Sequence, residues 1–508
     1  MVEIDGYHLT LAEVEAVARH GEKVALSAAG KANILESRQR LEAIIATNRP
    51  VYGINTGFGI FADRRIPPQD SARLSRNLIK SHAVGSGPNM PADVVRAGML
   101  IRANTLSKGF SGVRTEVVQT LIDMLNAGVT PVIPSQGSLG SSGDLCPLSH
   151  MALVMTTDAD DRDDESGWAE YQGQVMTGKA AMKAAGIPRI ELGPKEGLAL
   201  NNGATFSAAV AVLVVQDSEY LLDVAEWGLC MSMESMLGCS SAFDARLHDA
   251  RGLKGQIGVA EHVRHLTEGS TLMNAAGRVQ DAYSLRCAPQ VQGAARDTLL
   301  FVRDVIEREI NAATDNPLIF DPDVALSGGN FHGEPVGMVM DFVGIAMSEV
   351  AAIAERRVFR LTDGKLNGGL PPMLVDSPEA AGLNSGLMMP QYTAASLVLE
   401  NQTLATPDSV HSLPTSGEQE DHNANAWTAA RHARQIVENT TQVLAIELYT
   451  AARALDLRLR QMPEAHPGRG TTAVYQKVRA AVPYQPGDAW WGPEILKVRG
   501  LIEGRKLL

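Results

Sequence analysis

The segment from Gly137 to His150 combines serine, glycine and aspartate in an order that permits backbone chemistry, Gly-Ser-Leu-Gly-Ser-Ser-Gly-Asp-Leu-Cys-Pro-Leu-Ser-His. An amide nitrogen can attack a carbonyl two residues back only in a tightly kinked chain, and Gly143 lacks the Cβ that would prevent this. Closure of Gly143 onto Ser141, with loss of the Ser142 hydroxyl, would give a methylidene-imidazolone (MIO). The segment therefore predicts a backbone-derived electrophile, and a polar turn before a helix is the alternative interpretation.

At these residues the sequence resembles the aromatic amino acid lyase family, in which the segment usually reads Ala-Ser-Gly-Asp and Ser141 stands in place of the alanine. The resemblance covers nearly the whole chain, and its further motifs are Val51–Gly59, Asn202-Gly203, Tyr283–Cys287, Asp315–Pro317, Gly329–His332 and Gln419–His422. It implies an MIO formed autocatalytically from Ser141, Ser142 and Gly143. It also implies an ammonia-lyase (fumarase/aspartase-like) fold and a homotetramer whose active sites are shared between subunits.

The resemblance also implies roles for residues outside this segment. Tyr52 lies in a glycine-rich loop that can close as a lid, and it matches the family's base for the β-proton. Arg286 matches the clamp for the substrate carboxylate, a task that suits the forked guanidinium. The predicted catalytic residues are Tyr52, Ser141, Ser142, Gly143, Tyr283 and Glu420.

The prediction of the substrate rests on fewer residues than the prediction of the reaction. Ser81-His82 resembles the pair found in the histidine-specific members, whereas the phenylalanine and tyrosine lyases carry His-Leu or Phe-Leu there. Glu420 matches a glutamate of the same members, and a carboxylate beside a phenyl ring would be an unpaired charge. We therefore expect elimination of ammonia from L-histidine to give trans-urocanate. The predicted substrate-binding residues are His82, Asn202, Gln280, Arg286, Phe331 and Met388.

Two positions beside predicted site residues depart from the family pattern. Asn201 replaces the usual leucine or valine, and Glu418 replaces the usual asparagine. These changes leave open an ammonia-lyase or 2,3-aminomutase acting on another aromatic amino acid or on a modified histidine. An inactive family member that serves as a binding or structural protein is a further alternative.

Composition and charge exclude several other classes of function. The formal net charge is −13, which argues against nucleic acid and anionic membranes as partners. The four cysteines are scattered without a Cys-x-x-Cys pair, which is typical of reduced thiols and predicts a cytoplasmic protein. No dinucleotide fingerprint or P-loop is found. His262 and His265 have helical spacing but no further ligands nearby, so we expect no metal.

The surrounding elements predict a mainly α protein in two parts. Residues 1–200 are expected to form a mixed N-terminal domain that carries the Tyr52 loop and the MIO-forming segment. Residues 201–508 are expected to form a long-helix bundle with substrate-binding residues and a C-terminal cap. The acidic run 158–165 is predicted to be a solvated surface turn. Helices are predicted at 9–13, capped by Thr10, at 96–127 with a break near Gly109 and Gly112, and at 207–237, 336–357, 391–405 and 424–459.

Overall fold

A computed structural model describes residues 1–417 and 419–507. Within this part of the chain the protein is mostly helical, which confirms the predicted fold class. The helices are α1 (Leu11–His20), α2 (Ala28–Ala46), α3 (Ser71–His82), α4 (Ala92–Ser107), α5 (Thr115–Ala127), α6 (Leu145–Met155), α7 (Gly178–Ala184), α8 (Glu196–Asn201), α9 (Thr205–Ser235), α10 (Ala245–Arg251), α11 (Lys254–Leu266), α12 (Tyr283–Arg286), α13 (Ala288–Glu309), α14 (Glu334–Thr362), α15 (Met388–Leu404), α16 (Ala426–Gln461), α17 (Arg469–Ala481) and α18 (Trp491–Glu503).

The strands are short and form small separate sheets. They are β1 (Val2–Ile4), β2 (Val24–Leu26), β3 (Ser86–Asn89), β4 (Thr130–Pro131), β5 (Pro134–Gln136), β6 (Thr156–Thr157), β7 (Trp168–Tyr171), β8 (Gln174–Thr177), β9 (Ile190–Glu191), β10 (Leu318–Asp321) and β11 (Val324–Leu326). Parallel pairing joins β1 to β2 and β6 to β9, and antiparallel pairing joins β3 to β5, β10 to β11, and β4 to β7 to β8.

Local sequence signals account for where several helices begin and end. Thr10 caps α1 as predicted, because its hydroxyl accepts from the Glu13 amide at 3.2 Å and its own amide donates to the Glu13 carboxylate at 2.9 Å. The predicted break near Gly109 and Gly112 falls between the end of α4 and the start of α5. The four long helices predicted in the second half are α9, α14, α15 and α16.

Packing divides the described chain into two compact units. The first comprises residues 1–216, 303–341 and 407–431, and it contains every strand named above. The second comprises residues 217–302, 342–406 and 432–508, and its named elements are helices. The predicted domains 1–200 and 201–508 stay a prediction.

The long helices bury side chains on most of their surface. On α9, Phe206, Val212 and Leu229 are all fully buried although they point in different directions around the helix. Among the described helices, α14 alone is long and apolar enough to cross a membrane, and 67% of its apolar window is buried inside the protein. Such burial is typical of a helix in a protein core.

Candidate active site

The first unit contains a cavity of about 1280 Å³ that gathers most of the residues predicted to form the site. Because its wall draws on loops, on α3 and on the segments beside α6 and α8, residues far apart in sequence meet there. The predicted residues that line it are Tyr52, His82, Ser141, Ser142, Asn202, Phe331 and Glu420. Their proximity is established, whereas their individual roles stay predictions.

The Ser141-Ser142-Gly143 segment is kinked directly before α6. Gly143 has a φ of +79°, and a Cβ at this position would lie 2.0 Å from the Gly203 nitrogen. The Gly203 carbonyl in turn accepts a hydrogen bond from the Asp144 amide at 2.8 Å. Only glycine fits at position 143, because both the backbone angle and the close approach of Gly203 exclude a side chain.

Asp144 fixes the end of this segment. Its carboxylate is fully buried and accepts from the Ser138 hydroxyl at 2.7 Å, from the Ser207 amide at 2.7 Å and from the Ser207 hydroxyl at 3.0 Å. Burial raises the pKa of Asp144, although the three donors act in the opposite direction. The carboxylate therefore ties the Ser141-Ser142-Gly143 segment to the first turn of α9.

The geometry around Ser142 fits an MIO. The Asn202 side-chain amide donates to the Ser142 carbonyl oxygen at 2.6 Å, and that oxygen would become the ring carbonyl. The other end of the same side chain, Asn202 Oδ1, is buried with no hydrogen-bond partner among the described residues. The Ser141 hydroxyl accepts from the Ala424 amide at 2.9 Å, so this side chain is held by the segment before α16.

Tyr52 lies in a loop that contacts the segment carrying Glu420. The Tyr52 hydroxyl accepts a long hydrogen bond of 3.4 Å from the Gly59 amide. A Cβ on Gly59 would lie 3.3 Å from the Ser416 hydroxyl, and a Cβ on Gly417 would lie 3.2 Å from Ile60. The Tyr52 loop therefore packs against the turn before Glu420 with little space between them.

Helix α3 presents one face to the cavity and ends at His82. The Leu74, Asn77, Leu78 and Ser81 positions follow the spacing of one helical face, and all four line the cavity. The Ser81 hydroxyl lies 2.9 Å from His82 Nδ1, which leaves Nε2 for a bond to a ligand. Burial lowers the pKa of His82, so its ring is neutral at pH 7.

The acidic run 158–165 anchors α3 on the side away from the cavity. The buried Arg76 guanidinium donates to the Glu165 carbonyl at 2.7 Å and to the Thr156 hydroxyl at 2.9 Å. Lys80, one turn later, pairs with the Glu165 carboxylate at 2.9 Å. The run therefore lies at the surface as predicted, with Asp160, Asp163 and Asp164 exposed. It also pairs with two cations of the helix that carries His82, because Asp158 lies 3.4 Å from Arg76 and Glu165 holds Lys80.

Glu420 lies in a short backbone bridge with Thr415. The Thr415 amide donates to the Glu420 carbonyl at 2.9 Å, and the Thr415 hydroxyl lies 3.2 Å from the carboxylate. The negative charge of Glu420 also acts on His82 across the cavity, where it favours the protonated ring. An imidazole bound between these two side chains would meet a carboxylate and a neutral histidine.

The remaining predicted residues, Gln280, Tyr283, Arg286 and Met388, belong to the second unit and are not among the described residues that line the cavity. Tyr283 is 70% exposed and Met388 is 39% exposed. The Arg286 guanidinium lies over the Tyr283 ring at 4.8 Å, and its Nε atom has no hydrogen-bond partner among the described residues. Arg286 therefore lies against Tyr283, and Gln280, Tyr283 and Met388 are exposed.

The cavity also contains polar residues that sequence reasoning did not select. Asn77, Arg64, Ser416 and Gln419 line its wall. The helical spacing from Ser81 back to Asn77 was a usable signal, and Gln419 directly precedes Glu420. Arg64 and Ser416 gave no comparable signal, because their loops have no periodic pattern.

Of the two positions that depart from the family pattern, Asn201 and Glu418, the structure describes only Asn201. Asn201 is fully buried, and its amide donates to the Ser149 hydroxyl on α6 at 3.2 Å. It connects the end of α8 to α6 and does not line the cavity. Glu418 lies outside the described residues.

A separate cluster in the second unit resembles part of a metal site. Asp223, Glu226 and His262 place possible ligand atoms within 4.8 Å of one another. The Arg296 guanidinium already pairs with both carboxylates, and its Nε lies 2.8 Å from Glu226. Because a cation occupies these carboxylates, the cluster is explained as an ion-pair network.

The fold is that of an ammonia-lyase, and the comparisons with known proteins agree with that class of enzyme. The family model for aromatic amino acid lyases matches residues 9–480. The chain belongs to the aromatic amino acid lyase family.

Individual members of the family show which enzymes this chain is similar to. The chain is 49% identical to a histidine ammonia-lyase of Caldanaerobacter subterraneus, over 95% of this chain and 92% of the relative. A crystal structure of histidine ammonia-lyase from Trypanosoma cruzi is 35% identical, with a TM-score of 0.90 over 100% of this chain and 94% of that one. The tyrosine aminomutase of Streptomyces globisporus is also 35% identical, with a TM-score of 0.93 over 100% and 97%. The fold by itself therefore does not separate lyases from aminomutases.

Proposed function

We propose that this protein has histidine ammonia-lyase activity, converting L-histidine into trans-urocanate and ammonia. The observation that carries the proposal is the cavity in which the kinked Ser142 segment, Tyr52, His82 and Glu420 meet. The relatives with 45–49% identity over nearly the whole chain bear the same activity in their names. We further propose that the enzyme is cytoplasmic and uses no metal or nucleotide.

Ring formation needs no co-reactant, because it consists of two losses of water. In the first, the Gly143 nitrogen bonds to the Ser141 carbonyl carbon, and the carbonyl oxygen leaves with the amide hydrogens of Gly143 and Ser142. In the second, the Ser142 hydroxyl leaves with the hydrogen on its own Cα, which creates the exocyclic double bond. The contact between Gly143 and Gly203 supports this proposal by keeping the chain kinked at the reacting nitrogen.

The side chains in the cavity then act on the substrate. The MIO supplies an electrophilic carbon for the amino group and so makes ammonia a better leaving group. Tyr52 removes the β-proton, and His82 with Glu420 holds the imidazole. Arg286 holds the carboxylate as a charge-assisted, forked pair. Because the β-proton is weakly acidic, positioning and electrostatics must supply most of the rate gain.

A substrate panel tests the proposal directly. Purified protein is mixed separately with L-histidine, L-phenylalanine, L-tyrosine and a histidine betaine, while absorbance and released amine are followed together. We expect urocanate and ammonia in equal amounts from histidine alone. A β-amino acid with little free ammonia would support an aminomutase instead, and turnover of the betaine alone would support a modified substrate.

Replacing Glu420 by glutamine is expected to lower kcat/KM for L-histidine by about 10-fold to 100-fold. The change keeps the shape of the side chain but replaces a charge-assisted hydrogen bond to the imidazole with a neutral one. Any weak turnover of L-phenylalanine should fall less, because a phenyl ring makes no such bond. Steady-state kinetics on both substrates measures the difference.

The matched control for Glu420→Gln is Asp421→Asn. It removes the same charge from the neighbouring position, where the exposed carboxylate also lines the cavity. We expect it to change kcat/KM for histidine only a few-fold, as a general effect of charge. If the two variants lose histidine turnover equally, or if Glu420→Gln affects both substrates equally, the imidazole assignment is wrong.

We also propose the homotetramer with shared active sites that the family resemblance implies. The second unit exposes large apolar side chains on α13, α14 and α15, including Phe301, Ile345, Met389 and Leu399. Exposed apolar patches on long helices are typical of subunit interfaces. Burial of this surface against partner subunits would also bring the exposed Tyr283 and its neighbours close to another chain.

Mixed tetramers test whether each active site combines residues of different subunits. Tyr52→Phe and Arg286→Gln are expected to be nearly inactive when each is expressed alone. When they are co-expressed with different affinity tags, about one quarter of sites should combine an intact Tyr52 with an intact Arg286 from another subunit. We therefore expect a clear recovery of activity in the doubly tagged tetramers.

A control mixture and a negative result distinguish shared active sites from sites built within one subunit. Tetramers of Tyr52→Phe mixed with Ser142→Ala should show no recovery, because both residues line the same cavity of one chain. Absence of recovery in the Arg286→Gln mixture would show that Tyr52 and Arg286 act within one subunit. Light scattering on the wild type establishes the number of subunits.

A further inference from the structure

Arg102 is a buried cation directly behind the segment that carries Asn202. It lies on α4 with 0% exposure. Its Nη1 donates to the Ala199 carbonyl at 3.2 Å, and its Nη2 donates to the Thr205 hydroxyl. These two acceptors lie on either side of Asn202 and Gly203, so one guanidinium holds both ends of this short connection between α8 and α9.

Close packing continues from Arg102 to the reacting segment. A Cβ on Gly203 would lie 2.7 Å from Arg102 Nη2 and 2.6 Å from the Thr314 hydroxyl. Gly203 also lies against Gly143, and its carbonyl accepts a hydrogen bond from the Asp144 amide at 2.8 Å. Guanidinium, Gly203 and Gly143 are therefore stacked without space for a side chain between them.

The charge of Arg102 is not used in a direct ion pair within the described part of the chain. Asp315, Asp144 and Glu309 act on it electrostatically, but no described carboxylate lies within 4.0 Å. Burial lowers the pKa of Arg102 to about 10, so the group remains cationic at pH 7. A fully buried cation is costly, and the hydrogen bonds of Arg102 are to neutral oxygens of Ala199 on α8 and Thr205 on α9.

We propose that Arg102 is a positioning residue for MIO formation. It holds the Asn202-Gly203 connection rigidly against Gly143, which keeps the Gly143 nitrogen close to the Ser141 carbonyl and the Asn202 amide on the Ser142 oxygen. Loss of the guanidinium frees this connection, and the kink at Gly143 then relaxes. The inference rests on the proposed MIO chemistry and adds a residue that contacts neither substrate nor the reacting atoms.

The test is intact-mass measurement on freshly purified protein, which reads the chemical state of the segment independently of activity. Wild type should lack the mass of two waters relative to its sequence. We expect Arg102→Met to remain mostly uncyclised, or to cyclise at least about tenfold more slowly during refolding. Arg102→Lys should restore part of the cyclised fraction, because its ammonium can reach one of the two acceptors. Thr205→Val, a milder change, should slow cyclisation several-fold.

The matched control is Arg96→Met on the same helix. Arg96 is half-buried and also donates to backbone carbonyls, those of Val17 and Leu125, away from the MIO-forming segment. It should lower the melting temperature but cyclise completely. If Arg102→Met and Thr205→Val both cyclise at the wild-type rate, or if Arg96→Met fails equally, the inference is wrong. A wild type that retains both waters would instead refute the proposed MIO chemistry itself.

Discussion

Replacing Ser142 by alanine is expected to reduce kcat for L-histidine on the order of 1000-fold or more. The variant lacks the hydroxyl whose departure creates the exocyclic double bond, so the substrate amino group has no electrophile to add to. Binding should persist, because Tyr52, His82 and Glu420 still line the cavity. Intact mass should show the loss of one water at most, never of two, and steady-state kinetics should show the residual rate.

The neighbouring serine supplies a stringent control for this experiment. Ser141→Ala should still lose two waters, since position 141 contributes only its backbone to the ring. The hydroxyl that it removes accepts from the Ala424 amide, so we expect about 1–2 kcal/mol of lost stability with chemistry retained. Full activity in Ser142→Ala, or loss of ring formation in both variants, would contradict the assignment of Ser142 as the source of the methylidene.

The sequence predicted those parts of the fold that have a strong local signal. The Thr10 cap, the break between α4 and α5, and the four long helices are all encoded in spacing and in the placement of glycine. The two-residue strands such as β6 and β9 were not predicted, because two residues are too few to show alternation. The discontinuous units were also beyond prediction, since they depend on which distant segments pack together.

Within the candidate site, the sequence predicts the residues that belong to a recognisable motif and misses those that are defined only by their packing. Ser142, His82 and Glu420 were found because the family resemblance names their positions, and the cavity brings them together. Arg102 has no such signal, because an arginine within a helical pattern is usually an exposed charge. The role that we propose for Arg102 follows from its packing against Gly203, a contact between positions 101 residues apart that no local pattern contains.

Replacing Tyr52 by phenylalanine is expected to lower kcat by about 10²-fold to 10⁴-fold, the usual contribution of a general base. The aromatic ring keeps its place in the loop, and only the hydroxyl is lost. Within the described residues that hydroxyl accepts a long hydrogen bond from the Gly59 amide. KM should change little. The segment at Ser142 should still lose two waters, because the phenol takes no part in ring formation.

A β-deuterated histidine distinguishes a lost base from a disturbed loop. If Tyr52 removes the β-proton, its loss makes that step rate-limiting, and Tyr52→Phe should show a primary isotope effect on kcat larger than that of the wild type. The control is Tyr171→Phe on β7, which removes the same atom from a tyrosine whose hydroxyl contacts only Gln172 within the described chain, and it should leave kcat unchanged. An unchanged isotope effect in Tyr52→Phe, together with a raised KM, would assign Tyr52 to closure of the loop. The reaction would then require another base, and Tyr283 is the candidate to test next.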